Sequence, residues 1–240
     1  MASGRRWSVS RLLSRLQVPR IFWWGRRLPS LKNHFTNLLK TSSTVSWQCA
    51  HPHWARIFGR PWHCNTRAWL FAVRLAQLQG ITHDAEVVAV GSLLHDLGLT
   101  DSFAGPKRFE IEGADAARAF AREQGLEDRR VQLIWDSVAL NSTPSIGLHK
   151  EAEVALCTAG IGVEFGFQYD QIPPNEMKSI LAAYPRLEMK RRFTESVCHI
   201  VTTKPETTYD NFAGDFGERF VEGFKRPSTV DFLMNAPFEE

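Results

Sequence analysis

The sequence predicts an all-α fold, and three observations lead to this prediction. From about residue 60 onward, apolar residues recur at spacings of three and four, as they do along one face of a helix. No useful length of chain alternates between apolar and polar residues, as a half-exposed strand would. Glycine or proline separates most of the apolar segments, which is typical of helix ends. We therefore expect one helical bundle.

The first two predicted helices include the centre of this bundle. Residues 67–78 carry apolar residues at helical spacing, and Gly80 follows as a stop signal. Either Thr82 or Asp84 can cap the next helix, 85–94, which is apolar on nearly all sides. A helix without a polar face has to be surrounded by other elements, so we predict that 85–94 is central.

Five further helices are predicted downstream by the same criteria. Their ranges are 115–123, 129–140, 151–160, 175–183 and 193–201. Pro144 interrupts the chain between the second and the third of them. Pro173 and Pro174 open the fourth, where the missing N–H of a first-turn proline does no harm.

Length and composition are those of a globular protein. The chain has 240 residues, of which 43% are hydrophobic and 23% charged, and a core of this size needs no cross-links. Its four cysteines are scattered and include no CxxC pair, which argues against a disulfide scaffold or a zinc ribbon. No apolar run approaches the roughly 20 residues of a membrane-spanning helix. We predict a cytoplasmic protein with no membrane span.

Charge divides the chain into an extension and a body. Residues 1–83 hold 11 Arg, 2 Lys and no acid, a balance of +13, and the remainder has a balance of −10. We predict a basic, irregular extension at 1–55, the bundle at 56–225 and a C-terminal tail at 226–240. The acidic body argues against nucleic-acid binding. Residues 1–45 are rich in Arg and Ser, so mitochondrial targeting is an alternative location; a disordered basic tail is the other interpretation.

His95 and Asp96, at the end of the central helix, are the first chemical signal. A buried carboxylate without a partner is costly unless it is neutralised or binds a metal. Imidazole and carboxylate together suit Zn, Fe or Mn. Alone, the pair is weak evidence, because a capping aspartate beside a hydrogen-bonded histidine explains it as well without a metal. His63 adds a second imidazole just before the first helix.

Several motifs follow one another in a characteristic order. They are His63-x-x-x-Arg67, Leu93-Leu94-His95-Asp96-Leu97-Gly98, Arg108-Phe109-Glu110 before a helix with Gly113, Ala183-Tyr184-Pro185-Arg186-Leu187, and Thr208-Tyr209-Asp210-Asn211-Phe212. In this order they resemble the HD-domain superfamily of metal-dependent hydrolases, and in particular its cyanamide hydratase-like branch. The resemblance covers about residues 60–225 and implies an HD-domain helical bundle.

The resemblance implies a metal held by two histidines and acidic residues. His63, His95 and Asp96 match its pattern directly. Two further positions align with Asn141 and Glu164, where the family has a histidine and an aspartate. Asn141 is predicted to contact the metal through its carbonyl oxygen or through a bound water, and Glu164 keeps a carboxylate on a longer stem. The implied cofactor is one divalent transition metal, Zn, Fe or Mn.

The implied reaction is the addition of metal-activated water to a small neutral substrate, such as a nitrile of the cyanamide type. Asp96, Asp101 and Glu110 are the candidate catalytic residues; the structural alternatives are a turn residue for Asp101 and a helix-start acid for Glu110. Arg67 is expected to orient a carboxylate that binds the metal. His149 is an alternative ligand if its loop folds back.

Two other functions are left open. An HD-domain phosphohydrolase needs cations for phosphate, and only Lys107 and Arg108 form a basic pair near the His-Asp motif. A metal-free, non-catalytic binding module follows if Asn141 and Glu164 do not complete the metal site. For all three functions the partner is a small molecule; a homo-oligomer is one alternative for the assembly.

Overall fold

The structure, a computed structural model, describes residues 62–238. Within this range there are ten α-helices, three short 3-10 segments and no strand, so the predicted all-α class is confirmed. The predicted extension at 1–55 and its targeting signal lie outside the described residues. None of the ten helices combines the length and the apolarity that crossing a membrane requires.

The helices follow one another with short connections. They are α1 (Trp62–Gln79), α2 (Ala85–Leu94), α3 (Phe109–Glu123), α4 (Asp128–Ala139), α5 (Pro144–Gly147), α6 (Ala152–Glu164), α7 (Pro174–Ala183), α8 (Met189–Thr203), α9 (Ala213–Phe220) and α10 (Thr229–Met234). The 3-10 segments are Leu97–Leu99, Tyr169–Gln171 and Pro205–Thr207.

Helix α2 lies at the centre of the bundle, as its apolar sequence predicts. Val87 and Val88 are fully buried and Leu94 nearly so. The helix packs against α3, α4 and α6, and Val88 joins α1 and α6 in one apolar cluster with Ala72 and Leu156. The end of α2, where His95 and Asp96 follow, is therefore surrounded by helices.

Some helices differ from the sequence prediction. Helix α3 begins at Phe109, six residues before the predicted start, because its first turn packs against the chain that leaves α2. Pro144 interrupts the long helices as predicted, but it also occupies the first turn of the short α5. Helix α10 forms within the predicted tail, where the Ser228 side chain accepts hydrogen bonds from the first-turn N–H groups.

Helices α8 and α9 enclose a second core that is mainly aromatic. Phe193 stacks on Phe212 with ring centroids 5.8 Å apart, and Phe216 meets both rings edge-on. Phe109 contacts Phe212 from the first turn of α3. The aromatic core thereby joins the C-terminal helices to the turn that carries Glu110.

A close backbone approach fixes the chain just after Asp96. A Cβ atom on Gly98 would overlap the carbonyl oxygen of Phe109 and would lie 2.7 Å from its carbonyl carbon. A Cβ atom on Gly113 would lie 3.1 Å from the Gly98 nitrogen. Only glycine allows backbones to come this close, so both glycines hold the His-Asp segment against α3.

Gly98→Ala should lower the free energy of unfolding by about 2 kcal/mol or more, because the new methyl group has to displace the backbone of α3. The matched control is Gly162→Ala, within α6, whose Cβ would lie an ordinary 3.5 Å from Phe167. That control should leave stability unchanged or raise it by up to about 1 kcal/mol. Urea denaturation measures both, and equal stability of the two variants would contradict the packing described.

The N-cap of α2 is a charged one. Asp84 accepts hydrogen bonds from the N–H groups of Glu86 and Val87 at 3.0 and 3.2 Å, and from Arg130 Nε at 2.8 Å. Burial by itself would raise the pKa of Asp84, but the Arg130 guanidinium and the two N–H groups together hold that pKa below its ordinary value. The cap therefore contributes stability in its ionised form.

Asp84→Asn should keep the cap and lose the ion pair with Arg130. Because the folded-state pKa lies below the unfolded value of about 3.9, the ionised Asp84 stabilises the fold fully above that pH and loses its effect as the pH falls through the folded-state pKa. The stability difference between wild type and Asp84→Asn should therefore shrink in acid. Urea denaturation over a pH series measures it, and a constant difference would contradict the assignment. Asp84→Ala should cost about 1 kcal/mol more.

Candidate functional site

The side chains of His95 and Asp96 meet at the buried end of α2. His95 is 3% exposed and Asp96 is 9% exposed. His95 Nδ1 donates a hydrogen bond to the Ser92 carbonyl oxygen at 2.7 Å, and Nε2 lies 3.2 Å from Asp96 Oδ2. Since a carbonyl only accepts, the proton of a neutral ring is on Nδ1 and the lone pair of Nε2 faces the carboxylate. A proton or a metal cation has to lie between these two atoms.

The electrostatic environment also favours positive charge there. Burial alone lowers the pKa of His95, but the charge and hydrogen bond of Asp96 raise it by more, and Glu164 adds to this effect. The net pKa is raised above the ordinary value. The same negative charges would stabilise a metal cation at this point.

His63 stands at the beginning of α1 and is held in a similar way. Its Nδ1 lies 3.2 Å from the carbonyl oxygen of Pro185, and its ring meets Tyr184 edge-on. The carbonyl again selects the tautomer with the proton on Nδ1, which leaves the lone pair of a neutral ring on Nε2. A backbone carbonyl behind the ring is the usual arrangement for a metal-binding histidine.

Two of the predicted metal ligands, His95 and Asp96, are close enough to bind one metal ion. Two ligands of one ion lie about 3 Å apart when their bonds to it are about 2.1 Å, which agrees with the approach of His95 and Asp96. Within residues 62–238, however, no three side chains of His, Cys, Asp or Glu form a group that could hold a metal ion. His63 therefore does not join the pair in this arrangement.

Glu164, at the end of α6, lies within a buried ion-pair cluster. Arg67 Nε and Nη2 donate to its two carboxylate oxygens at 2.6 and 3.0 Å, and Arg186 Nη1 donates to Oε2 at 2.7 Å. The side chains of Arg67 and Glu164 are 0% and 1% exposed. Arg67 therefore orients the carboxylate of Glu164, and the predicted contact of this carboxylate with a metal stays a prediction. A metal at Glu164 would have to compete with three charge-assisted hydrogen bonds.

The remaining donors of Arg67 hold the turn between α7 and α8. Nη1 donates to the carbonyl oxygens of Tyr184 and Pro185 at 2.9 and 3.0 Å. We call residues 184–189 the strap. The Pro185 carbonyl accepts from both His63 and Arg67, so the strap connects the first imidazole to the ion-pair cluster.

Asn141 follows α4 and fixes the backbone of the His-Asp pair. Its Nδ2 donates to the carbonyl oxygens of His95 and Val138 at 3.0 and 2.8 Å. The amide is thereby oriented, and its carbonyl oxygen is the atom left for the cofactor contact that the sequence predicts. In the structure Asn141 is a positioning residue for His95.

The two candidate acids have very different environments. Glu110 is fully buried, accepts from Arg108 Nη2 at 2.9 Å and accepts from the Ser142 hydroxyl at 2.5 Å. Because Ser142 follows Asn141, Glu110 and His95 are held by neighbouring residues of one loop. Asp101 lies exposed in the turn after the first 3-10 segment, so the structure does not bring it to the cluster.

Cys64 lies among the charges of the site. Burial raises the pKa of its thiol, Asp96 and Glu164 raise it further, and Arg67 and Arg186 act in the opposite direction. All four charges therefore act on a single side chain at the start of α1. Sequence reasoning included Arg186 in a motif but assigned it no role, and it assigned none to Cys64.

Three further residues from the sequence analysis are the alternative metal ligand, His149, and the basic pair of Lys107 and Arg108. His149 is exposed on the loop before α6. Lys107 pairs with Asp115 at 2.8 Å, and Arg108 pairs with Glu110 and Asp210. The two cations considered for phosphate therefore already have carboxylate partners.

Comparison with known proteins leaves the family open. No protein-family model matches this chain, and no curated protein matches its sequence. Membership of the HD-domain superfamily therefore stays a prediction based on the motifs.

Glu164→Gln should lower the free energy of unfolding by about 3–5 kcal/mol, because it leaves the fully buried Arg67 without a counter-charge. The matched control is Glu176→Gln, which breaks the pair with Arg74, where both side chains are partly exposed. That control should cost about 1 kcal/mol or less. Thermal and urea denaturation of metal-free protein measure both changes. Equal costs would show that Glu164 is not the structural centre described.

Proposed function

We propose that this chain is a metal-dependent hydratase or hydrolase of the HD-domain type, acting on a small neutral substrate such as a nitrile of the cyanamide type. The approach of His95 Nε2 to Asp96 Oδ2 at 3.2 Å is the observation on which this proposal rests. Two buried lone pairs that face each other favour a bound cation. The order of the motifs supports the same class.

His95 and Asp96 would hold one divalent ion of Zn, Fe or Mn. The motif implies His63 as a third ligand, and its side chain would have to move to join the pair. When bound, such an ion supplies a water molecule of lowered pKa. The chain itself holds the Nδ1 protons of both histidines on backbone carbonyls, those of Ser92 and Pro185. Each ring thus presents Nε2 without a change of tautomer.

The charges around the site support a neutral reacting group. Arg67 and Glu164 neutralise each other, so Arg186 is the cation that this cluster leaves for an anionic group, which is too little for a polyphosphate. Lys107 and Arg108 already have carboxylate partners. These contacts favour the hydratase chemistry over the phosphohydrolase alternative.

A second candidate function, the metal-free binding module, is favoured by one specific observation. Both carboxylate oxygens of Glu164 are already bound by guanidinium groups, which would compete with a metal for this carboxylate. In this alternative His95 carries a proton on Nε2 and donates it in a hydrogen bond to Asp96 Oδ2. The two functions differ in whether the purified protein binds a metal.

His95→Ala and Asp96→Asn should each weaken metal binding at least about tenfold, because each removes one of the two donors that are already together. His149→Ala is the control and should bind metal as the wild type does. Metal content is measured by elemental analysis after reconstitution with Zn, Fe and Mn. Urea release from cyanamide and phosphate release from nucleotides are then assayed on the loaded protein.

Each outcome separates the candidates. One equivalent of metal with urea release supports the hydratase, and one equivalent with phosphate release alone supports the phosphohydrolase. Wild-type protein that retains no metal after reconstitution would contradict the proposal and support the binding module. Metal binding that is lost in His149→Ala but kept in His95→Ala would overturn the assignment of ligands.

A further inference from the structure

Among the described residues, 62–238, Arg186 finds hydrogen-bond partners for one of its three guanidinium nitrogens. Nη1 donates to Glu164 Oε2 at 2.7 Å, to the Glu164 carbonyl oxygen at 3.3 Å and to Met189 Sδ at 3.6 Å. Nε and Nη2 have no hydrogen-bond partner within residues 62–238. The side chain is 35% exposed, so this second edge of the guanidinium reaches solvent.

Arg67 shows what this edge of a guanidinium binds in the same cluster. Its Nε and Nη2 donate in parallel to the two oxygens of one carboxylate, that of Glu164. The planar pair of N–H groups matches a carboxylate in spacing and direction. Arg186 presents the same pair of N–H groups outward.

The outward edge belongs to the proposed reaction site rather than to a remote surface. Arg186 shares Glu164 with Arg67, and its neighbour Pro185 accepts the hydrogen bond from His63. The guanidinium and the carbonyl that orients the first imidazole therefore belong to adjacent residues of the chain.

The backbone after Arg186 is strained. Leu187 and Glu188 have φ values of 46° and 61°, in the left-handed region that costs a residue with a side chain about 1–2 kcal/mol. Leu187 is 43% exposed, so burial of its side chain does not account for this conformation. Residues strained in this way cluster at active sites and ligand-binding sites. The two residues directly follow Arg186 in the chain.

We propose that the Nε–Nη2 edge of Arg186 binds a carboxylate. The substrate would then not be neutral as a whole, but a small molecule that carries a carboxylate beside the neutral group, such as a nitrile, that takes up water. The identity of the reacting group rests on the proposed function, whereas the binding of a carboxylate at Arg186 does not depend on it. Arg67 and Glu164 neutralise each other, which leaves the single charge of Arg186 for one monoanionic group. A phosphate dianion would need a second cation, and Lys107 and Arg108 are already paired.

The test uses acetate as the probe and the full chain without added metal. In protein labelled with ¹⁵N-arginine, acetate should shift the Nε–H signal of Arg186 to saturation at constant ionic strength. Inorganic phosphate and chloride should shift it less. An Arg186 signal that does not respond to acetate, or that responds more strongly to phosphate, would overturn the proposal.

Arg186→Lys keeps a positive charge beside Glu164 but lacks the planar edge. Acetate affinity, followed on the methyl signal of acetate, should fall about tenfold or more in this variant. The matched control is Arg74→Lys, because Arg74 Nε and Nη2 are already occupied by Glu176. The control should bind acetate as the wild type does, and thermal melting verifies that both variants fold.

The result is independent of the metal experiment. Acetate binding that depends on Arg186 in a protein that binds no metal would leave the carboxylate site standing and contradict the hydratase. Metal binding and urea release, together with an acetate affinity that is unchanged in Arg186→Lys, would support the hydratase and overturn the carboxylate site.

Discussion

Arg67 reaches from α1 to Glu164 at the end of α6, and this buried ion pair is the contact around which the proposed site is built. Removing two charges from water is costly, and the cost is offset only where every donor has a partner. Arg67 meets this condition, since two of its nitrogens bind Glu164 and the third binds two carbonyls of the strap. One side chain thus joins two helices and the turn that orients His63.

The ion pair also means that the two carboxylates of the site, Glu164 and Asp96, have different partners. Glu164 neutralises guanidinium groups, whereas Asp96 faces an imidazole nitrogen and pairs with no arginine of residues 62–238. A cation, either a proton or a metal ion, is therefore stabilised beside Asp96 rather than beside Glu164. The resemblance assigned both acids to the same ion. In the structure the Glu164 carboxylate is bound by the guanidinium groups of Arg67 and Arg186, and its contact with a metal stays a prediction.

Much of the fold was predictable because helices are encoded locally. The apolar residues of 85–94 predicted α2 to the residue, and of the two predicted cap candidates, Thr82 and Asp84, the cap is Asp84. The start of α3 was not predictable, because a glycine in its second turn lowers helix propensity and is explained only by the approach of Gly98. At the site, the His95–Asp96 contact followed from adjacency in the chain. The convergence of Arg67, Glu164 and Arg186 did not, since these residues lie far apart in sequence.

The sequence by itself determined the helical class, the central helix and the pairing of an imidazole with a carboxylate at its end. These properties depend on periodicity and on neighbours along the chain, which the sequence states directly. Only the tertiary structure decided that Glu164 pairs with two arginines and that the Nε–Nη2 edge of the Arg186 guanidinium faces solvent. Which charges meet across helices is set by packing, and a buried charge takes whatever partner the fold brings within hydrogen-bond distance.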